Sequence, residues 1–67
     1  MADIQPIAVD EMAAANITGI SVSSLQKMRV RGGGPPYAKV GNRVRYRIVD
    51  LEAFMAERVR NSTSEAA

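Results

Sequence analysis

Apolar residues recur at helical spacing in two stretches of the chain and at alternating spacing in one short stretch between them. Val22, Leu25 and Met28, with Arg29 alongside, stand at i, i+3 and i+6, which makes them the inward face of a helix. Ser23, Ser24, Gln26, Lys27, Val30 and Arg31 then lie elsewhere on it. The helix is predicted from about Val22 to Arg31. Ile20 precedes it as an apolar residue, and the hydroxyl of Ser21 suits its N-terminal cap. Gly32-Gly33-Gly34 followed by Pro35-Pro36 ends it, because glycine tolerates a left-handed cap and proline cannot continue a helix. Upstream, Glu11-Met12-Ala13-Ala14-Ala15-Asn16 is rich in helix formers and follows Asp10, which is placed to cap free amides. A first helix is predicted over residues 10–16, broken by Thr18-Gly19.

The alternating stretch predicts a hairpin. Tyr37-Ala38-Lys39-Val40 and Arg43-Val44-Arg45-Tyr46 flank Gly41-Asn42, a two-residue loop suited to a primed turn. In that register Tyr37 faces Tyr46 and Lys39 faces Val44, on the side toward the helices. Ala38, Val40, Arg43 and Arg45 share the other side. Both tyrosines are expected in the core. Asp50 is expected to open a third helix, where Leu51, Phe54 and Met55 form an i, i+3, i+4 stripe that closes the core. Residues 1–6 show no period and read as a flexible arm, 7–60 as one domain, and 61–67 as a disordered polar tail.

Charge changes the picture through its placement. Nine Lys and Arg against seven Asp and Glu leave a net charge of only +2. All the acids lie toward the ends, however, and between residues 12 and 49 Lys27, Arg29, Arg31, Lys39, Arg43, Arg45 and Arg47 meet no negative residue. Such a block favours a polyanion, since each phosphate neutralised releases condensed counterions. Cysteine and histidine are both absent, which removes disulfides, thiolate nucleophiles, the usual zinc ligands and the imidazole base together. The carboxylate pairs Asp10-Glu11 and Asp50-x-Glu52 both read as helix starts. No enzyme, no cofactor and no membrane span are expected, and the chain reads as cytoplasmic and nucleoid-associated. At 67 residues it has room for one domain, which buries only about 60% of its unfolded surface.

Helix, tight turn, capped helix, Gly-Pro corner, small hairpin and one more helix describe a mainly α fold with a small β-hairpin, a winged helix-turn-helix. The chain resembles the small excisionase and AlpA-like group, whose DNA-binding fold is similar to that of the MerR family. The resemblance rests on Ser21-x-x-Ser24-Leu25-x-x-Met28-Arg29, on Gly32-Gly33-Gly34-Pro35-Pro36-Tyr37, on Lys39-Val40-Gly41-x-Arg43-Val44-Arg45-Tyr46-Arg47, and on Asp50-Leu51-x-x-Phe54. It departs from that group in having Met28 where an aromatic is usual, Val49 where a capping Ser or Thr is usual, and Asn16-Ile17-Thr18 at the end of the first helix. With Val49 there, the cap of the third helix comes from Asp50 or goes unmade. The resemblance implies a second helix in the major groove and a wing against the backbone or minor groove of double-stranded DNA.

A recognition helix needs short polar side chains early and longer donors later. Ser23, Gln26 and Lys27 meet that need, with Gln suited to adenine and Lys to guanine. Ser21 and Ser24 suit phosphate, and Arg31 suits either phosphate or the last carbonyls of its helix. In the wing, Arg43 and Arg45 can enter a minor groove, and Lys39 and Arg47 join them as candidates, Arg47 equally as an ion-pair partner of Asp50 or Glu52. The bland alternatives are solvated surface for Gln26 and Lys27 and edge-strand protection for Arg43 and Arg45. The resemblance implies an architectural role: copies bind adjacent sites cooperatively, bend the DNA and bias a tyrosine-type integrase toward excision. A small AlpA-like transcriptional regulator is the second reading, and a module that docks an acidic protein is the third.

Overall fold

In the computed structural model, which describes residues 6–60, the chain runs β1 (Ala8–Val9), α1 (Glu11–Thr18), α2 (Val22–Arg31), β2 (Ala38–Val40), β3 (Arg43–Arg47) and α3 (Ile48–Ala56). The predicted arm, apart from Pro6, and the predicted tail lie outside the described residues.

The turn between the first two helices is built by side chains that lie next to it in sequence. Asp10 accepts from the Ala13 amide at 2.9 Å and so starts α1, as its position predicted. The helix runs through Asn16-Ile17-Thr18 instead of ending at residue 16. Thr18 Oγ1 donates back to the Ala14 carbonyl at 2.8 Å and accepts from the Ile20 amide at 3.1 Å, so one hydroxyl both ends the helix and sets the turn. The Gly19 amide then closes on the Ala15 carbonyl at 2.8 Å. Ser21 caps α2 by accepting from the Ser24 amide at 3.1 Å.

Strands β2 and β3 pair antiparallel in the predicted register, Ala38↔Arg45, Lys39↔Val44 and Val40↔Arg43. The two-residue loop works because Gly41, at φ 64°, takes the left-handed first position of a II′-type turn while Asn42 stays at negative φ. The sheet has a third strand that the residue pattern does not announce. Ala8 and Val9 pair with Arg47 and Tyr46, which makes β3 the central strand of the order β1-β3-β2. Just beyond that pairing, the Ile48 amide donates to the Ile7 carbonyl at 2.9 Å. Three helices with this small antiparallel sheet form the layout of a winged helix-turn-helix.

The core is Ala14, Leu25, Tyr46 and Leu51, with Phe54 beside it and Val9, Ile20, Val44 and Ile48 packed around it. Three expectations need correction. Helix α3 starts at Ile48 rather than Asp50, and no side chain caps it, because its N-cap position is Arg47, whose guanidinium has no acceptor to offer the first amides. Its first amide is satisfied instead by the carbonyl of Ile7, just ahead of β1. Met55 is 41% exposed and does not close the core, which Leu51 and Phe54 complete without it. Tyr37 is 44% exposed and not a core residue; it lies outside Tyr46, ring centroids 6.3 Å apart, with the Arg29 guanidinium 5.8 Å from its own.

At Gly34 the loop after α2 passes close against that helix. A Cβ there would sit 2.5 Å from Met28 Cβ and 3.0 Å from its sulfur. Gly34→Ala is therefore expected to cost about 1–3 kcal/mol as overpacking, read by chemical or thermal denaturation. Met28→Ala keeps the clashing Cβ and should not rescue it; a rescued double variant would show that the loop simply moves away.

Candidate nucleic-acid interface

Helix α2 has two opposed faces, and the inward one fixes the outward one. Inward, Leu25 is fully buried, while Met28 and Arg29 are half-buried. Arg29 joins three elements. Its Nη1 donates to Glu11 Oε2 on α1 at 2.7 Å and to the Tyr46 hydroxyl on β3 at 2.9 Å. The side chains of the ion pair are 21% and 24% exposed, so water screens it only in part. The hydrogen bond from Arg29 holds the Glu11 carboxyl below the ordinary glutamate value; partial burial opposes this and a bond from Gln26 adds to it. Residues 11 and 29 are too far apart in sequence for the pattern along the chain to pair them.

Outward, Ser23, Gln26, Lys27 and Val30 stand at i, i+3, i+4 and i+7, and all four are exposed or half-exposed. With Arg31 they line one shallow concavity, and Lys27, Arg31 and Ser24 line an adjoining one. The predicted residues of this helix are thus brought together on one surface. They differ in what is left to offer a ligand. Ser21 is committed as the cap, and its hydroxyl donates to Ser24 Oγ at 2.9 Å with Ser23 Oγ 3.4 Å away. That leaves the Ser24 hydroxyl proton free to donate. Gln26 Nε2 donates to Glu11 Oε1 at 3.3 Å, so this amide is held from behind. Lys27 and Arg31 have no acidic partner among the described residues.

The wing separates its cations. Arg43 and Arg45 project from the face of the hairpin that also carries Ala38 and Val40 of β2, and they line a groove with Pro6, Ile7, Ala8 and Val40. Arg45 Nη1 donates to the Val44 carbonyl at 2.9 Å, and Arg43 has no acidic partner among the described residues. Lys39 is exposed but stands opposite Val44, so it does not share that face. Arg47 is engaged: its Nε and Nη2 donate to Asp50 Oδ2 at 2.7 Å and Oδ1 at 2.9 Å, and this fork holds the Asp50 carboxyl below its ordinary value. Arg47 thus serves first as the buttress of the strand-to-helix corner.

Arg58 belongs to the fold. It donates to the Phe54 carbonyl at 3.0 Å with its guanidinium carbon 3.6 Å from that ring's centroid.

Two residues of this surface escape the pattern along the chain. Glu11 reads there as a helix start, and only the folded chain shows it behind Gln26 and Arg29. Val30 falls among the residues off the core face, although an apolar residue at i+7 from Ser23 on a polar stripe is itself a signal. It is 87% exposed.

Acid should weaken the fold through Glu11. A carboxyl with a depressed folded value stabilises at pH above its unfolded value of about 4.3, and this contribution fades as pH falls through the lower folded value. The melting temperature is expected to be lower at pH 3 than at pH 7, with a smaller difference in Glu11→Gln. An equal difference in wild type and variant would remove Glu11 from the acid response.

Among curated proteins none matches the chain in sequence. A family model described as a helix-turn-helix domain does match, over residues 13–59, which takes in most of α1 together with α2, the hairpin and α3. The match covers well over half of the chain, and this family includes excisionase- and AlpA-like small DNA-binding proteins. With a capped second helix presenting a polar stripe and a wing presenting arginines, the chain belongs to this helix-turn-helix domain family.

Proposed function

We propose that this protein binds double-stranded DNA sequence-specifically, with α2 in the major groove and the wing against the backbone or minor groove. The observation that carries the reading is a charge balance. The acids nearest the basic block are consumed by structural arginines, Glu11 by Arg29 and Asp50 by Arg47. Lys27, Arg31, Lys39 and Arg43 are left exposed and without acidic partners among the described residues. Free cations beside a stripe of short polar side chains suit a phosphate backbone and a groove floor better than they suit solvent alone. Ser24 and the first amides of α2 suit a phosphate, Gln26 and Lys27 suit base edges, and Arg43 and Arg45 suit the wing's contact.

In role, we favour an architectural factor of excisionase type that bends DNA beside an attachment site and directs a tyrosine-type integrase toward excision. A single helix and a single wing offer modest specific affinity, so several copies on adjacent sites fit such a role. A small promoter-binding regulator is the alternative, and footprinting separates them: closely spaced direct repeats beside an attachment site favour the first, an isolated site overlapping a promoter the second.

The DNA reading itself is tested by fluorescence anisotropy on a random-sequence duplex over a range of salt. Binding should weaken linearly in log K against log salt, and Arg43→Ala/Arg45→Ala should reduce the slope by about two, one for each phosphate that is no longer neutralised. Absence of binding at low salt would refute it.

A further inference from the structure

Glu11 and Val30 give the outward stripe of α2 a chemical preference that its cations lack. At neutral pH a carboxylate has no proton to donate, so the Gln26 amide must turn its NH2 toward Glu11 Oε1, 3.3 Å away. The Gln26 carbonyl and its remaining N–H then face away from Glu11. Arg29 in turn holds the other Glu11 oxygen at 2.7 Å, which keeps the carboxylate from following Gln26 outward. A fixed edge of one acceptor and one donor matches the N6 donor and N7 acceptor of adenine, whereas guanine offers two acceptors there. One helical turn further on, Val30 is 87% exposed on the same stripe, where it packs against little of the fold. In a major groove the apolar feature is the thymine methyl. Four residues of helix advance about 6 Å, so the two side chains reach bases within about two base pairs of each other.

The geometry points to Gln26 and Val30 as a paired reader of adenine and a nearby thymine methyl in the major groove, with Glu11 as the positioning residue that orients the Gln26 amide. This inference rests on the DNA-binding reading and adds a base preference to it.

The test begins by selecting duplexes from a randomised pool with the full chain. The selected sites should carry an adenine and, within about two base pairs, a thymine. Replacing that thymine with deoxyuridine removes only the methyl group, and wild type should lose about fourfold in affinity, the worth of one buried methyl. Val30→Ala, a surface change that should not lower the melting temperature, should bind the thymine and deoxyuridine duplexes equally. Gln26→Ala should lose its preference for adenine over guanine, about tenfold in wild type. Glu11→Gln, whose amide can meet Gln26 with either atom, should relax the same preference at temperatures where circular dichroism shows it folded. A purely structural Glu11 would lower the melting temperature and leave base preference intact, which would remove it from the proposal. Selected sites without adenine and thymine at these positions, or equal wild-type affinity for thymine and deoxyuridine, would overturn the paired reader while leaving DNA binding in place. Failure to select any duplex would overturn the DNA-binding reading, and the paired reader with it.

Discussion

The guanidinium of Arg29 is the point through which the parts of this small fold are held in relation to one another. From α2 it reaches Glu11 on α1 and the hydroxyl of Tyr46 on the central strand, and lies beside the ring of Tyr37. Hydrophobic burial alone would not specify the same arrangement, because the buried hydrophobic core among the described residues is small: Ala14, Leu25, Tyr46, Leu51 and Phe54. Apolar contact is non-directional, while a planar fork of N–H groups fixes angles as well as distances. Hydrogen bonds to charged groups are worth about 1.5–3 kcal/mol, a large share of the stability available to a domain this small.

The same contact divides the charges by task. A cation half-buried among its partners cannot also serve a ligand, and neither can the carboxylate that satisfies it. Arg29 and Arg47 take the acids flanking the basic block and leave the outer cations unmatched. The structural arginines therefore determine which lysines and arginines remain for DNA, although all of them look alike in a count of charge. Glu11 shows the economy of the arrangement, since one carboxylate holds the two helices together with one oxygen and orients Gln26 with the other.

What was legible in the sequence was what neighbouring residues decide. The start of α2 follows from Ser21 and the following amides, and the hairpin register from Gly41-Asn42 and the alternation around it. The breaks in legibility have equally concrete causes. Strand β1 has two residues, too few to show a period, and exists because β3 offers an open edge. The end of α1 depends on Thr18 bonding both ways, and the start of α3 on Arg47 standing at the N-cap with no acceptor to offer. Tyr37 and Tyr46 sit on the same side of the hairpin, yet Tyr46 is buried and Tyr37 is left partly exposed beside Arg29. For the candidate site, exposure of the α2 stripe was readable from spacing, but the support behind it was not, because Glu11 and Gln26 meet only after the helices pack.

Strand β1 has a temporal consequence. Ala8 and Val9 find their partners in Tyr46 and Arg47, so the sheet cannot be completed until nearly the whole domain has left the ribosome. The turn between the first two helices and the hairpin are local and can form as they emerge, whereas the closing step must bring together distant parts of the chain. This closure is also small, two residues of pairing and one backbone bond from Ile48 to Ile7, so little holds it against local opening. Each opening exposes the first amide of α3 to water, and thereby couples fraying at one end of the domain to the entry of its last helix.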